Sequence, residues 1–214
     1  TFVLRPYFIT NSDLQMTFLK SICRSILILT GCFLFSTALY AQNWDINLLR
    51  KINPENAGPG FWMGMSNSAY VAGVGVPAGM FVTGVISKDK KTKINSYEMV
   101  GSIAFAAVIT QGLKVTINRL RPYEKYDDVY PAGSIDNGKS FPSGHTTIAF
   151  ATATTLALEY KKWYITVPAY AWAAGVGYSR MYLGQHYPTD VIGGAIVGTG
   201  GAFLSHWLTK KIFK

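Results

Sequence analysis

The sequence predicts an all-α fold, a polytopic membrane helical bundle of about six apolar segments. Three observations point to it. Nearly half the residues are hydrophobic (49%) and only 14% are charged, and the apolar residues come in blocks rather than in the periodic stripes of a soluble amphipathic helix. Six stretches contain no Asp, Glu, Lys or Arg: Ser25–Trp44, Phe61–Ser87, Met99–Leu113, Ser140–Leu158, Trp163–Ser179 and Val191–Thr209. Most approach the roughly 20 residues that cross a bilayer. The cations are also skewed. Alternating the six segments with Lys20 and Arg24 inside collects Lys88, Lys90, Lys91, Lys93, Lys161, Lys162, Lys210, Lys211 and Lys214 on the same side, 11 cations in all. The other side holds eight: Arg50, Lys51, Lys114, Arg119, Arg121, Lys125, Lys139 and Arg180. This is the bias expected of cytoplasmic connectors.

Taken in order, residues 1–41 read as processing rather than fold. Thr1–Gln15 is an ordinary polar stretch, and Met16 then opens a layout of Lys20 and Arg24, an apolar run from Ile26, and small residues up to Ala38 and Ala41. That is the arrangement of a secretory signal, with Met16 as the true start; an uncleaved first membrane helix gives the same topology. Both cysteines, Cys23 and Cys32, lie in this segment, so its removal leaves no disulfide and no cysteine metal site. Residues 42–214 form one domain. Asp45–Ile52 carries apolar residues at Ile46, Leu48, Leu49 and Ile52, the pattern of a short surface helix, ended by Asn53-Pro54 and Gly58-Pro59-Gly60. Pro77 and Pro168 sit inside apolar segments, which a bundle tolerates when neighbours satisfy the freed carbonyl. Gly75-x3-Gly79 and Gly194-x3-Gly198 predict close helix approach. The longest polar connector, Tyr123–Lys139, reads as a loop at the site; its Asp127, Asp128 and Asp136 fit solvated side chains better than a metal site.

Three blocks carry chemistry. Lys114 and Arg121 are two helical turns apart and project from nearly one face. Pro122 disfavours helix at Arg121 and frees its side chain, a planar fork suited to phosphate oxygens. Alone, this block equally fits a cationic face at a membrane boundary. Pro142-Ser143-Gly144-His145 precedes Thr146-Thr-Ile-Ala-Phe and reads as a helix start, where free backbone N–H groups can cradle an anion. A plain helix cap accounts for it as well. Arg180, His186 and Asp190 form the third block. Pro188 suits the first turn of a helix, with His186 before it and Asp190 inside it. A carboxylate in reach of one imidazole nitrogen fixes the tautomer and leaves the other nitrogen free to attack. His-x3-Asp is also a metal-ligand spacing, but the chain has three histidines and no further ligand cluster. The third, His206, reads as a packed or interfacial residue, and Arg119 lies outside every motif.

The ordered set from Lys114 to Asp190 resembles the type 2 phosphatidic acid phosphatase superfamily, which includes lipid phosphatases, bacterial acid phosphatases and vanadium haloperoxidases. The resemblance implies a helical phosphatase core of that type. It also implies a reaction: His186 attacks phosphorus to give a phosphohistidine, His145 protonates the leaving oxygen, and Asp190 orients His186. Lys114, Arg121, Ser143, Gly144 and Arg180 would bind the phosphoryl oxygens, with no metal and no cofactor. In the six-segment topology all three blocks fall on the outer face.

These expectations converge on a membrane phosphatase for a lipid phosphate or diphosphate, in a bacterial inner membrane with its site toward the periplasm. The alternatives are a soluble periplasmic acid phosphatase acting on small phosphoesters, a vanadium-dependent haloperoxidase, and a non-catalytic lipid-binding scaffold. Nucleic-acid binding is not expected. The net charge of +9 sits in short connectors beside apolar segments, and no basic, aromatic-interleaved stripe exists.

Overall fold

The structure, a computed structural model, describes residues 44–58, 60–133 and 138–213. The predicted signal or first membrane segment, with Met16, Cys23 and Cys32, lies outside the described residues, as does Asp136. Asp45–Lys214 forms one compact unit. Among the described residues it is all helix and loop. A short helix α1 covers 44–52. It is followed by α2 (Gly60–Ile86), α3 (Lys90–Ile117), the single turn α4 (Pro122–Lys125), α5 (Gly144–Tyr160), α6 (Trp163–Tyr182) and α7 (Pro188–Ile212). Each of the five apolar stretches after the first coincides with one of the long helices.

Local chemistry sets the boundaries. Asp89 caps α3 by accepting from the Lys91 amide (2.9 Å) and the Thr92 hydroxyl (2.6 Å). Lys161, in the left-handed conformation (φ 50°), ends α5 and leaves one residue before α6 begins. Pro188 opens α7 at the position where a missing N–H costs nothing. Hydroxyls inside the helices bond back along their own backbone, as Thr155 does to the Ala151 carbonyl (2.8 Å), which satisfies them without water.

The bundle is built around α5, which packs on α6 and α7; α3 packs on α7, and α2 covers α3, α5 and α6. Its core is made of small residues, with Ala69, Ala149, Ala153, Ala173 and Val176 in one buried cluster. Small residues allow backbones to approach closely where lipid leaves no hydrophobic drive between helices. At Gly194 a Cβ would stand 2.6 Å from the Ser143 carbonyl oxygen, and at Gly198 it would collide with the Thr147 carbonyl, so α7 requires both glycines to pack on α5. The second small-residue pair does not behave this way. A Cβ at Gly75 or Gly79 would meet nothing within 4 Å, because that face of α2 looks outward.

Three runs are long and apolar enough to cross a membrane: Gly60–Ile86, Lys90–Lys125 and Pro188–Ile212. The outer faces of α2 and α3 are apolar, with Val71, Val74, Val108 and Val115 each more than 70% exposed. Water would oppose a surface of that size, and lipid would not. At 17 residues α5 spans only about 26 Å. Its neighbours surround it, so it can be rich in Thr and Ala and still lie at the centre.

Connectivity sorts the charges. The α2–α3 turn, the α5–α6 turn and the end of α7 carry Lys88, Lys90, Lys91, Lys93, Lys161, Lys162, Lys210 and Lys211. The end of α3 and the starts of α5 and α7 carry the three motif blocks. A reporter fused after Lys90 should therefore behave as cytoplasmic, and one inserted within the Tyr123–Lys139 connector as external. Activity on the same side from both would refute the alternation.

Candidate active site

Helices α5 and α7 begin at the end of the bundle where α3 finishes, so the three motif-bearing ends meet. Lys114, Arg121, Gly144, His145 and His186 line one cavity of about 600 Å³, together with Tyr70, Gln111 and Lys139 among others. Five of the eight predicted site residues thus face a common space. Ser143, Arg180 and Asp190 stand behind that lining, each with no more than 3% of its surface exposed.

Arg121 adopts an extended backbone (φ −71°, ψ 157°) at the start of α4, as Pro122 predicts. Its guanidinium reaches back into the bundle, donating to the Gly138 carbonyl (2.9 Å) and the Gln185 carbonyl (3.0 Å). Lys114 donates to the Lys139 carbonyl. The contacts to Gly138 and Lys139 tie the return end of the Tyr123–Lys139 connector to the cavity. Asp128, further out on that connector, pairs with Arg50 at 2.7 Å.

His186 is 1% exposed and sits between cations and a carboxylate. Its Nε2 lies 3.4 Å from Arg121 Nη1, and its Nδ1 lies 3.5 Å from Asp190 Oδ2. A guanidinium only donates, so Nε2 presents its lone pair to Arg121 and the proton sits on Nδ1, which makes no hydrogen bond in this geometry. Burial pushes the imidazole pKa down to about 4; the Asp190 contact opposes this, and Arg180 reinforces it. The ring is therefore neutral near pH 7.

At the start of α5, Ser143 holds the N-cap position without a side-chain cap; its hydroxyl accepts from Thr146 (2.9 Å). The Ser143 amide donates to the Asp190 carbonyl (3.0 Å), so it is spent on the contact between α5 and α7. The Gly144 amide, at the cavity wall, is a first-turn donor with no carbonyl of its own helix to meet. His145 packs edge-on to the Tyr70 ring at 4.5 Å. Arg180 donates to the Ser66 hydroxyl at 2.7 Å, which fixes the end of α6 against α2.

Sequence reasoning missed Asp45 and Arg119. Arg119 bridges Asp45 (2.5 Å) and Asp190 (2.6 Å), donates to Thr189 (2.7 Å), and stacks 3.7 Å above the Tyr187 ring. Asp45 is 2% exposed, so α1 is no surface helix: Asp45, Ile46 and Leu49 are all buried, the last two in a cluster with Val129 and Tyr187. No local pattern announces contacts between residues so far apart in the chain. His206 is also more than a packed residue. At the far end of the bundle its Nδ1 lies 2.8 Å from Glu98 and 3.1 Å from Glu159.

Comparison with known proteins agrees with this architecture. The undecaprenyl-diphosphatase of Sulfolobus acidocaldarius is 34% identical over 124 residues, covering 58% of this chain and 60% of that protein. The lipid A 4'-phosphatase of Bacteroides thetaiotaomicron is 32% identical over 105 residues, 47% of each chain. The chain thus spans less than two thirds of the length of these relatives. A crystal structure of a transmembrane PAP2 type phosphatidylglycerolphosphate phosphatase from Bacillus subtilis superposes with a TM-score of 0.60 at 26% identity, over 90% of this chain and 96% of that one. The PAP2 superfamily profile matches residues 97–214, which hold all three motif blocks from Lys114 to Asp190, and the chain belongs to that superfamily.

Proposed function

We propose that the protein hydrolyses a lipid phosphate or diphosphate through a phosphohistidine, without a metal, at the periplasmic face of a bacterial inner membrane. The observation that carries this reading is the cavity at the end of apolar helices. It gathers a neutral imidazole with its Nε2 beside Arg121, a second imidazole, two cations and a helix start. The relatives named as phosphatases of undecaprenyl diphosphate and lipid A support a lipid substrate.

In the first step the Nε2 lone pair of His186 attacks phosphorus, the bond to the leaving oxygen breaks, and His145 gives that oxygen its proton. The Asp190 carboxylate, with Oδ2 at 3.5 Å from His186 Nδ1, offsets the positive charge that develops on the ring. Lys114, Arg121 and the Gly144 amide face the cavity and would bind the phosphoryl oxygens, with Arg180 and Ser143 supporting them from behind. In the second step water attacks the phosphohistidine, His145 takes its proton, and the N–P bond breaks to return neutral His186. Fixed cations and amides supply the charge stabilisation that this reaction type demands.

The test is an assay of purified protein in detergent against phosphatidic acid, phosphatidylglycerophosphate, undecaprenyl diphosphate and a short soluble phosphoester. At least one lipid should be turned over faster than the soluble ester, with activity retained in EDTA and lost with vanadate, which mimics phosphate. Loss in EDTA with recovery on adding magnesium would overturn the metal-free mechanism.

A further inference from the structure

Among the described residues Asp190 is the carboxylate that faces His186, and its two oxygens are unequally shared. Oδ2 accepts from the Tyr187 amide (3.0 Å) and the Ser140 hydroxyl, and it is also the oxygen nearest His186. Oδ1 is held by Arg119 at 2.6 Å. Arg119 in turn is gripped by Asp45 at 2.5 Å, and Asp45 receives the Thr189 amide (2.9 Å) and hydroxyl (2.6 Å). The chain Asp45–Arg119–Asp190–His186 therefore runs from α1, through the segment after α3, to the start of α7 and the cavity.

We infer that Arg119 and Asp45 are positioning residues of the reaction proposed above: Arg119 fixes the rotamer of Asp190, and Asp45 fixes Arg119. The inference rests on that proposed reaction for its consequence in turnover, but not for its geometry. Three features favour it over a merely structural ion pair. Asp190 is fully buried, and a buried carboxylate facing only a neutral imidazole and two neutral donors would lack a counter-charge. Arg119 is the cation in contact with it. The planar fork of Arg119 divides between two carboxylates, Nη1 to Asp190 and Nη2 to Asp45, which a lysine ammonium cannot reproduce in the same plane. The Tyr187 ring beneath the guanidinium then fixes the orientation of that plane. Asp45 thereby makes the segment before α2 part of the site, although no motif includes it.

The experiment combines kinetics with a direct titration of His186, using Arg119→Gln, Arg119→Lys and Asp45→Asn alone and in an Asp190→Asn background. Arg119→Gln should lower kcat about tenfold or more and leave KM nearly unchanged, as loss of an orienting partner does elsewhere. Arg119→Lys should recover only part of that loss, and Asp45→Asn should show a smaller loss of the same kind. With Asp190 already replaced, the Arg119→Gln effect should shrink to about twofold or less, since coupled residues are not additive. Nitrogen NMR of the imidazoles should show the His186 midpoint moving up in Arg119→Gln, because Asp190 is left with its charge uncompensated. Additive kinetic losses, or full rescue by lysine, would overturn the inference. So would a His186 titration unchanged in both Arg119→Lys and Asp45→Asn, variants that retain most of the ion-pair network if Arg119→Gln fails to fold. If the wild type hydrolyses none of the tested substrates, the proposed function fails, and the titration still decides whether the relay exists.

Discussion

His186→Ala should abolish both turnover and covalent labelling, with a loss of about 10³-fold or more, the scale seen when a nucleophile is removed from a preorganised site. The expectation follows from geometry. His186 lines the cavity, and its Nε2, beside Arg121 Nη1 at 3.4 Å, is the nitrogen that does not lie next to Asp190. Among the described residues no second nucleophile is placed equivalently: His145 lies at the start of α5, beside Tyr70. The substitution should spare the fold, because the Asp190 carboxylate keeps Arg119, Ser140 and the Tyr187 amide after the imidazole is gone. Rapid quench with a phosphate-labelled lipid, at alkaline pH where an N–P bond survives, tests it. Labelled protein in His186→Ala would show that another residue is the nucleophile.

The buried position of His186 also sets a pH window. Its pKa is pushed down from 6.5 to about 4, so the native protein binds fewer protons there than the unfolded chain between those values. That contribution to stability is present above the unfolded value and is lost as pH falls toward 4. The nucleophile itself should stay neutral across most of that window, and acid inactivation above pH ~5 would have to come from another group.

What the sequence discloses and what it hides divide along a physical line. Helix positions follow from charge-free blocks, because lipid-facing and bundle-facing surfaces are both apolar and only the connectors need charge. Arg121, Gly144, His145 and His186 follow from spacing, because a helix start or a proline fixes where a nearby side chain emerges. The Gly194–Gly198 approach is legible for the same reason, whereas Gly75 and Gly79 have an identical spacing and face outward. Spacing names a face of a helix, not what that face meets. Arg119 and Asp45 are invisible for that reason. Each reads as an ordinary charge at a helix end, and only the folded chain brings them together at Asp190. Ser143 is an intermediate case: it does stand at the helix start, but its amide is already used by the Asp190 carbonyl.

His145→Ala should fail at a different step from His186→Ala, and by an amount that depends on the substrate. Removing a general acid costs about 10²–10⁴-fold when the leaving group needs a proton. The alkoxide released from a phosphate monoester such as phosphatidic acid needs one badly, so the full loss should appear there. A diphosphate releases a phosphate group, which is a far weaker base, and p-nitrophenyl phosphate releases a phenolate that scarcely needs protonation. The defect should therefore shrink from the monoester lipid to these two better leaving groups. His145 lines the cavity but is not the ring held between Arg121 and Asp190, so its removal leaves the nucleophile's surroundings in place. Labelled phosphoenzyme should still form in His145→Ala from the nitrophenyl ester. It should also persist longer than in the wild type, because the same imidazole is needed to take the proton from water in the second step. Equal losses on all three substrates, with no phosphoenzyme, would mean that His145 holds the phosphate rather than moves a proton.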